Sequence, residues 1–209
     1  MKITVFGATG GTGLEVVRQA AAAGHEVTAV VRDPARLAPV PGVALVCADV
    51  MDPASIAPSL VGADAVVSAL GNRDIRHPTT VCSGGIASII EAMNGANVRR
   101  LAVVSASGLV TDDADDFLTR YVAKPILQRI LAYNFADLRR MEEIVRESGL
   151  DWTIVRPSRL LDRPRGSYRV EIGRNLPRGY NTRRSDVADY LLRSVADGAA
   201  VGEAVAVAI

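Results

Sequence analysis

The chain has 209 residues, 49% of them hydrophobic, with 24 basic and 23 acidic side chains and a formal net charge of +1. That length suits one well-buried domain spanning 1–209, the balanced charge offers no field for nucleic acid or an anionic membrane, and no apolar run approaches a membrane span. A strand in the first six residues leaves no leader ahead of the fold, and Cys47 and Cys82 lack metal or redox spacing and read as small buried hydrophobes, so a cytoplasmic protein is expected.

The first apolar run, 2–6, feeds Gly7-Ala8-Thr9-Gly10-Gly11-Thr12-Gly13, and a helix is predicted over 11–23. Strand, glycine turn and helix N-terminus in that order are how a dinucleotide pyrophosphate is held. Gly7 makes the turn, Gly10 lets the backbone approach the phosphates, and Gly13 lets the helix pack on the strand, while free N–H groups and the helix dipole face the anion. A structural turn alone is the competing reading. The second strand, 26–31, ends in Arg32, where an NAD-preferring site would place an acid for the ribose 2'-hydroxyl. Arg32 and Arg36 can instead grip a 2'-phosphate, which favours NADPH, unless both are solvated beside Asp33.

Further apolar runs at 43–48, 64–69, 100–105 and 151–156 alternate with helical segments at 79–94 and 134–148. The pattern predicts an α/β fold, a doubly wound parallel β-sheet with strands buried on both faces and helices on either side. Ligands then bind beyond the carboxyl ends of the strands. Asp49 and Val50 would meet the adenine there, although Asp49 or Asp52 could simply cap a helix. Gly71 in Leu70-Gly71-Asn72-Arg73 would admit the ribose, with Arg73 near a phosphate, or the segment is a plain turn. Segments 104–108 and 156–159 would flank the nicotinamide, with Ser105 and Ser107 as the candidate catalytic pair. The spacings Glu142/Arg146 and Arg139/Glu143 read as an exposed helix face. Residues 158–183 lack periodicity and form an excursion on the substrate side, where Arg159, Arg163 and Arg165 would make a basic lip for an anionic acceptor. Alternatively they are solvated, or bind Asp162 and the acidic tract 112–116. A helix at 184–197 and a strand at 203–207 close the fold.

Taken together, the glycine motif, Val31-Arg32-Asp33, Ala48-Asp49-Val50, Leu70-Gly71-Asn72-Arg73 with Pro78-Thr79-Thr80-Val81, Arg146-Glu147-Ser148-Gly149-Leu150 and Asp186-Val187-Ala188 resemble the NAD(P)H-binding, NmrA-like atypical short-chain dehydrogenases/reductases, of the flavin reductase/biliverdin reductase B type. The resemblance implies a Rossmann domain, NADPH, and reduction of flavins, quinones or related conjugated acceptors. It carries over Gly7, Thr9, Gly10, Gly11, Thr12, Gly13, Arg32, Arg36, Asp49, Val50, Leu70, Gly71 and Arg73 as cofactor contacts. The family serine after the fifth strand falls on Ala106, and the histidines of its tetrapyrrole site fall on Leu138 and Arg159, which puts tetrapyrrole reduction in doubt.

The Tyr-x-x-x-Lys pair that supplies a proton in most short-chain dehydrogenases is missing. Tyr121 and Lys124 are one residue too close, and Pro125 is expected to hold Lys124 out of helical geometry. Hydride transfer to a stacked acceptor that takes its proton from water is the chemistry left, with Ser105 and Ser107 bonding the nicotinamide amide or the acceptor. His77 reads as solvated or functional, and His25 as structural. The rival reading is a non-catalytic, NADP-sensing regulator that docks onto a partner protein and would show an exposed apolar patch. A sugar-nucleotide epimerase fits poorly in a chain this short. A monomer or weak dimer is expected, with no metal.

Overall fold

The computed structural model describes residues 1–198 and 200–209. Its strands are β1 (Lys2–Phe6), β2 (Glu26–Val31), β3 (Val43–Cys47), β4 (Ala65–Ser68), β5 (Arg100–Val104), β6 (Asp151–Pro157), β7 (Arg159–Leu161), β8 (Arg169–Ile172), β9 (Asn181–Arg183) and β10 (Glu203–Ala208). The helices are α1 (Gly11–Ala22), α2 (Pro53–Ile56), α3 (Val81–Gly95), α4 (Lys124–Ile130), α5 (Ala132–Glu147) and α6 (Arg184–Asp197). The main sheet runs β3-β2-β1-β4-β5-β6-β10-β8, parallel except for β8. Strand order reverses between β1 and β4, where Phe6 pairs with Ser68. That reversal opens the crevice in which such sheets bind ligands.

Alternation along each strand sorts the core into two layers. Ile3 and Val5 of β1 face α1 and α6, joining Val16, Val17, Ala20, Val187, Leu191 and Val195. Phe6 faces the opposite side with Ile56, Ile86, Ile89, Met93, Met141 and Val145. The predicted doubly wound architecture is therefore present, with three differences. The strand at 43–48 stands at the edge of the sheet beside β2 with Leu45 exposed, and Cys47 at its end is exposed rather than buried. The excursion at 158–183 contains three short strands, which pair with distant partners and so leave no local period. β8 extends the main sheet against β10, and β7 pairs with β9. Asp186, fully buried at the start of α6, ties the excursion down by accepting from the Gly166 amide and the Arg183 guanidinium.

The third difference lies before α5. Lys124 is helical at φ −65°, ψ −45°, and a π-helical turn, Thr119–Ala123, precedes it. Proline normally clashes with the carbonyl four residues back, and the wider π turn accommodates Pro125 without straightening the chain. Lys124 is buried, with its ammonium 2.6 Å from both Asp115 carboxylate oxygens, while Tyr121 faces solvent. The pair therefore supplies no proton to a cleft.

Candidate cofactor and acceptor cleft

Gly7 at φ +77° ends β1 with a turn that only glycine takes without strain, and a Cβ there would lie 2.5 Å from the Ala69 carbonyl oxygen. A Cβ on Gly13 would sit 2.2 Å from the Gly7 oxygen, so this glycine sets how closely α1 packs on the turn. Gly10 is different. It caps α1 without a side-chain bond, and a Cβ would meet only the Gly7 oxygen, at 3.2 Å. Gly71 has open space around the same position. Two of these glycines thus satisfy the fold, and two keep a cleft clear that the protein itself does not fill. That open cradle at a helix N-terminus fits a dinucleotide pyrophosphate.

The cleft has two lobes that share Gly10, Ala69, Leu70, Gly71 and Asn72. The first, about 280 Å³, brings Gly7, Thr9 and Gly10 together with Arg32, Arg36, Asp49, Val50 and Arg73. Asp33 is occupied as the cap of the turn Pro34–Arg36, accepting from the Ala35 amide at 3.0 Å. Among the described residues neither Arg32 nor Arg36 has an ion-pair partner, so both guanidinium groups remain available to an anion. Asp52 is the residue that caps α2, whereas Asp49 accepts from the Met51 amide and keeps its place in the lobe.

The second lobe, about 220 Å³, is walled by Gly11, Thr12, Leu70, Cys82, Val104, Ser105, Asn134, Asp137, Leu138, Leu160 and Arg184. Asp137 is buried and committed: it accepts from the Cys82 and Ser83 amides at the start of α3. Burial, with Asp137 beside it, pushes the Cys82 thiol up to about 12, so this cysteine stays protonated.

Ser105 has a partner that helical periodicity hid. Glu142, predicted on an exposed face, is 3% exposed and accepts from the Ser105 hydroxyl at 2.6 Å and from Arg156 Nε at 2.9 Å. Arg156 Nη2 and Arg146 Nη2 complete its shell. Burial alone would raise the Glu142 carboxyl, but the hydrogen bonds and charge of Arg156, aided by Ser105 and Arg146, outweigh it and hold the group ionised below its ordinary range. α5 turns Glu142 toward the sheet because Met141 and Val145 pack there, whereas Arg139 and Glu143 are exposed as expected.

The other residues expected around the nicotinamide are placed elsewhere. The short turn Ser107–Leu109 carries Ser107 away from Ser105 and onto Ser158, in a separate pocket of about 40 Å³ with Asp115 and Lys124. Arg159 is exposed on β7 and lines neither lobe. Arg163 and Arg165 line an outer groove of about 860 Å³ along α1, with Arg18 and Glu15. Arg165 pairs with Asp189, and Asp162 pairs with Arg184 rather than with the lip arginines. The acidic tract is likewise engaged elsewhere, Asp115 by Lys124 and Asp112 by the Asn175 amide. His77 sits 2.7 Å from Asp74 on an exposed loop outside both lobes.

Arg184, which the sequence did not single out, forms the boundary between the second lobe and the outer groove. Its side chain lies over Gly11 so closely that a Cβ there would fall 2.6 Å from Arg184 Cδ. Its position directly ahead of Ser185-Asp186-Val187-Ala188, where a helix follows an irregular segment, was the available signal.

Residues 7–198 match the model of the NAD(P)H-binding family. The Bacillus subtilis protein YwnB is 29% identical over 173 residues, covering 80% of this chain and 78% of its own. The (4-alkanoyl-5-oxo-2,5-dihydrofuran-3-yl)methyl phosphate reductase of Streptomyces griseus is 34% identical over 156 residues, which span 74% of this chain and 46% of that enzyme. A short-chain dehydrogenase/reductase from Veillonella parvula, solved in complex with NADP, aligns with a TM-score of 0.82 at 18% identity, covering 100% of this chain and 94% of that one. At that identity the likeness is one of fold.

Proposed function

This chain belongs to the NAD(P)H-binding family, and from that premise we propose that it is an NmrA-like atypical short-chain reductase that uses NADPH to reduce a conjugated acceptor such as a flavin or quinone. The observation that carries the reading is the continuous two-lobed cleft, which runs from the unpaired arginines Arg32 and Arg36 to the largely apolar wall around Ser105. NADPH, when bound, supplies the hydride from its nicotinamide ring.

The chain's own residues do the rest by binding and orientation. The α1 amides and dipole would receive the pyrophosphate, and Arg32 and Arg36 would hold the 2'-phosphate. Ser105 has a defined polarity. A hydroxyl has one proton, and the ionised Glu142 takes it, so toward the cleft Ser105 can only accept a hydrogen bond. It therefore suits the amide N–H of a carboxamide, and it cannot serve as a proton donor. Leu70, Val104, Leu138 and Leu160 offer flat apolar contact for a stacked ring. With Asp137 committed and Cys82 held protonated at about 12, the lobe offers the product no ready acid, which favours acceptors that draw their proton from water. The NADP carried by the Veillonella structure and the enone phosphate in the Streptomyces enzyme's name support this cofactor and acceptor class. An anionic tail on the acceptor would pass Arg184 toward Arg163 in the outer groove.

The test is acceptor-dependent NADPH oxidation with FMN, riboflavin and short-chain quinones. Sustained turnover is expected, and tight NADPH binding without turnover on any of them overturns the reductase reading. A second reading, an NADP-binding regulator without turnover, is favoured by one observation, the exposed apolar face over 117–133.

A further inference from the structure

From the segment after β5 into the first turn of α5 the chain presents an apolar surface to solvent. Phe117, Leu118, Tyr121, Val122, Ile126, Leu127, Ile130 and Tyr133 are all exposed. Leu118, Val122, Ile126 and Ile130 recur at four-residue spacing, which aligns them along one helical stripe. Phe117, Tyr121 and Tyr133 are 77%, 60% and 45% exposed. At about 200 Å² per aromatic side chain the three rings alone present about 350 Å², a large share of the ~800 Å² that each partner contributes to a standard interface. Single exposed apolar side chains are ordinary, but a contiguous patch of this size marks a contact surface.

The stripe is held rigidly from beneath. Lys124 is buried and bonds Asp115 and the Val110 carbonyl, Gln128 donates to the Gly108 carbonyl, and Phe135 packs on Gly108. Anchored on that side, the helix keeps its outer side chains in place, and Phe117 and Tyr121 already pack together with ring centroids 4.9 Å apart.

Charge identifies the occupant. Immediately before the stripe stand Asp113, which pairs with Arg120 at 2.7 Å, and Asp116, exposed and without an ion pair among the described residues, and within it, one turn beyond Ile126, stands Arg129, exposed and likewise without one. The surface is thus acidic at its start and basic toward its end. Such a stripe complements itself when a second one runs antiparallel across it, the arrangement that a two-fold axis produces. We propose that this face is the contact between two copies of the chain, related by a two-fold axis near Val122, with the acidic end of each stripe against Arg129 of the other. The inference stands independently of whether the cleft turns over.

Sedimentation velocity on the full chain tests it. A concentration-dependent dimer in the micromolar range is expected, and Ile126→Glu should leave a monomer with unchanged circular dichroism and NADPH affinity. If that variant fails to fold, the charges carry the test. Arg129→Asp sets like charges together twice per dimer and should weaken association by about tenfold or more at low salt. Raising the salt should close the gap between this variant and the wild type, because the repulsion in one and the attraction in the other are both screened. A wild-type monomer throughout the range, a dimer unaffected by Ile126→Glu, an Arg129→Asp defect that persists at high salt, or binding of the monomer to phosphatidylcholine or phosphatidylglycerol vesicles through this face would each overturn the proposal.

Discussion

Glu142→Gln should be among the most damaging single substitutions in this chain that leave the side chain's shape intact. The amide keeps the volume but removes the charge that compensates Arg156, whose side chain is only 10% exposed. It also replaces one carboxylate oxygen by an N–H₂ donor, which faces existing donors whichever way the amide is turned: Ser105 at 2.6 Å and Arg156 Nε at 2.9 Å on one side, Arg146 at 2.8 Å on the other. Removing one member of a buried ion pair costs about 3–5 kcal/mol. For a chain of this size each kcal/mol shifts the melting temperature by about 2–4 °C, so a drop on the order of 10 °C is expected. The sign with pH follows from the lowered carboxyl. Its contribution is fully present above the unfolded-state value of 4.5 and is lost as pH falls through the lower folded value. Urea unfolding of both proteins from neutral pH down to pH 3 measures this. The stability gap should stay constant at neutral pH and narrow only on acidification below the unfolded value. A gap under about 1 kcal/mol at neutral pH, the size of an exposed pair, would refute the argument.

The cleft yields further expectations. Arg32→Ala should reduce the NADPH-over-NADH preference at least about tenfold, since each charge-assisted bond contributes about 1.5–3 kcal/mol; equal dissociation constants for the two cofactors in wild-type calorimetry would defeat the 2'-phosphate assignment. Gly10→Val should abolish dinucleotide binding while thermal unfolding stays cooperative, because the side chain enters the cleft and meets only the Gly7 oxygen, at 3.2 Å; wild-type affinity in the folded variant would reduce the loop to a turn. Ser105→Ala should lower kcat/KM about tenfold or less, the loss of one hydrogen bond, whereas a fall of about 10²–10⁴-fold would point to general-acid work. Arg163→Glu should lower kcat/KM for FMN relative to riboflavin by a few-fold at low salt and not at high salt; an unchanged ratio would leave the outer groove without a substrate role.

The parts of this fold that were legible are those whose interactions are local or periodic. Runs of Val, Ala and Ile bounded by turns announced the parallel strands, and Gly7, Gly10 and Gly13 stand where a strand meets a helix, a context no other local arrangement requires. Gly149 at φ +68° closes α5 where the Ser148-Gly149 pair suggested it. The short strands within the excursion were not legible, for the opposite reason. β7 pairs with β9 and β8 with β10, so each short strand is stabilised by a partner far along the chain, and three or four residues without a local period carry no signal of their own. The π turn at Thr119–Ala123 was hidden in the same way, since Pro125 reads as a helix stop unless the preceding turn widens.

Ser105 and Glu142 show why a site is harder to read than a fold. The Glu142/Arg146 spacing is the ordinary mark of a solvated helix face, and that pair does form, at 2.8 Å. What the spacing omits is Arg156, fourteen residues away on β6, whose guanidinium reaches into the same carboxylate and makes burial tolerable. A carboxylate enters a protein interior only with its charge answered and its lone pairs filled. Once Glu142 is there, ionised, it dictates the direction of the Ser105 hydroxyl and so what the cleft can do. Ser107, two residues on, lacks such a partner and bonds Ser158 instead. Two serines that look equivalent in the sequence thus separate into a cleft-lining acceptor and a side-chain contact with Ser158, and the difference originates in the Glu142–Arg156 ion pair, to which only Ser105 bonds.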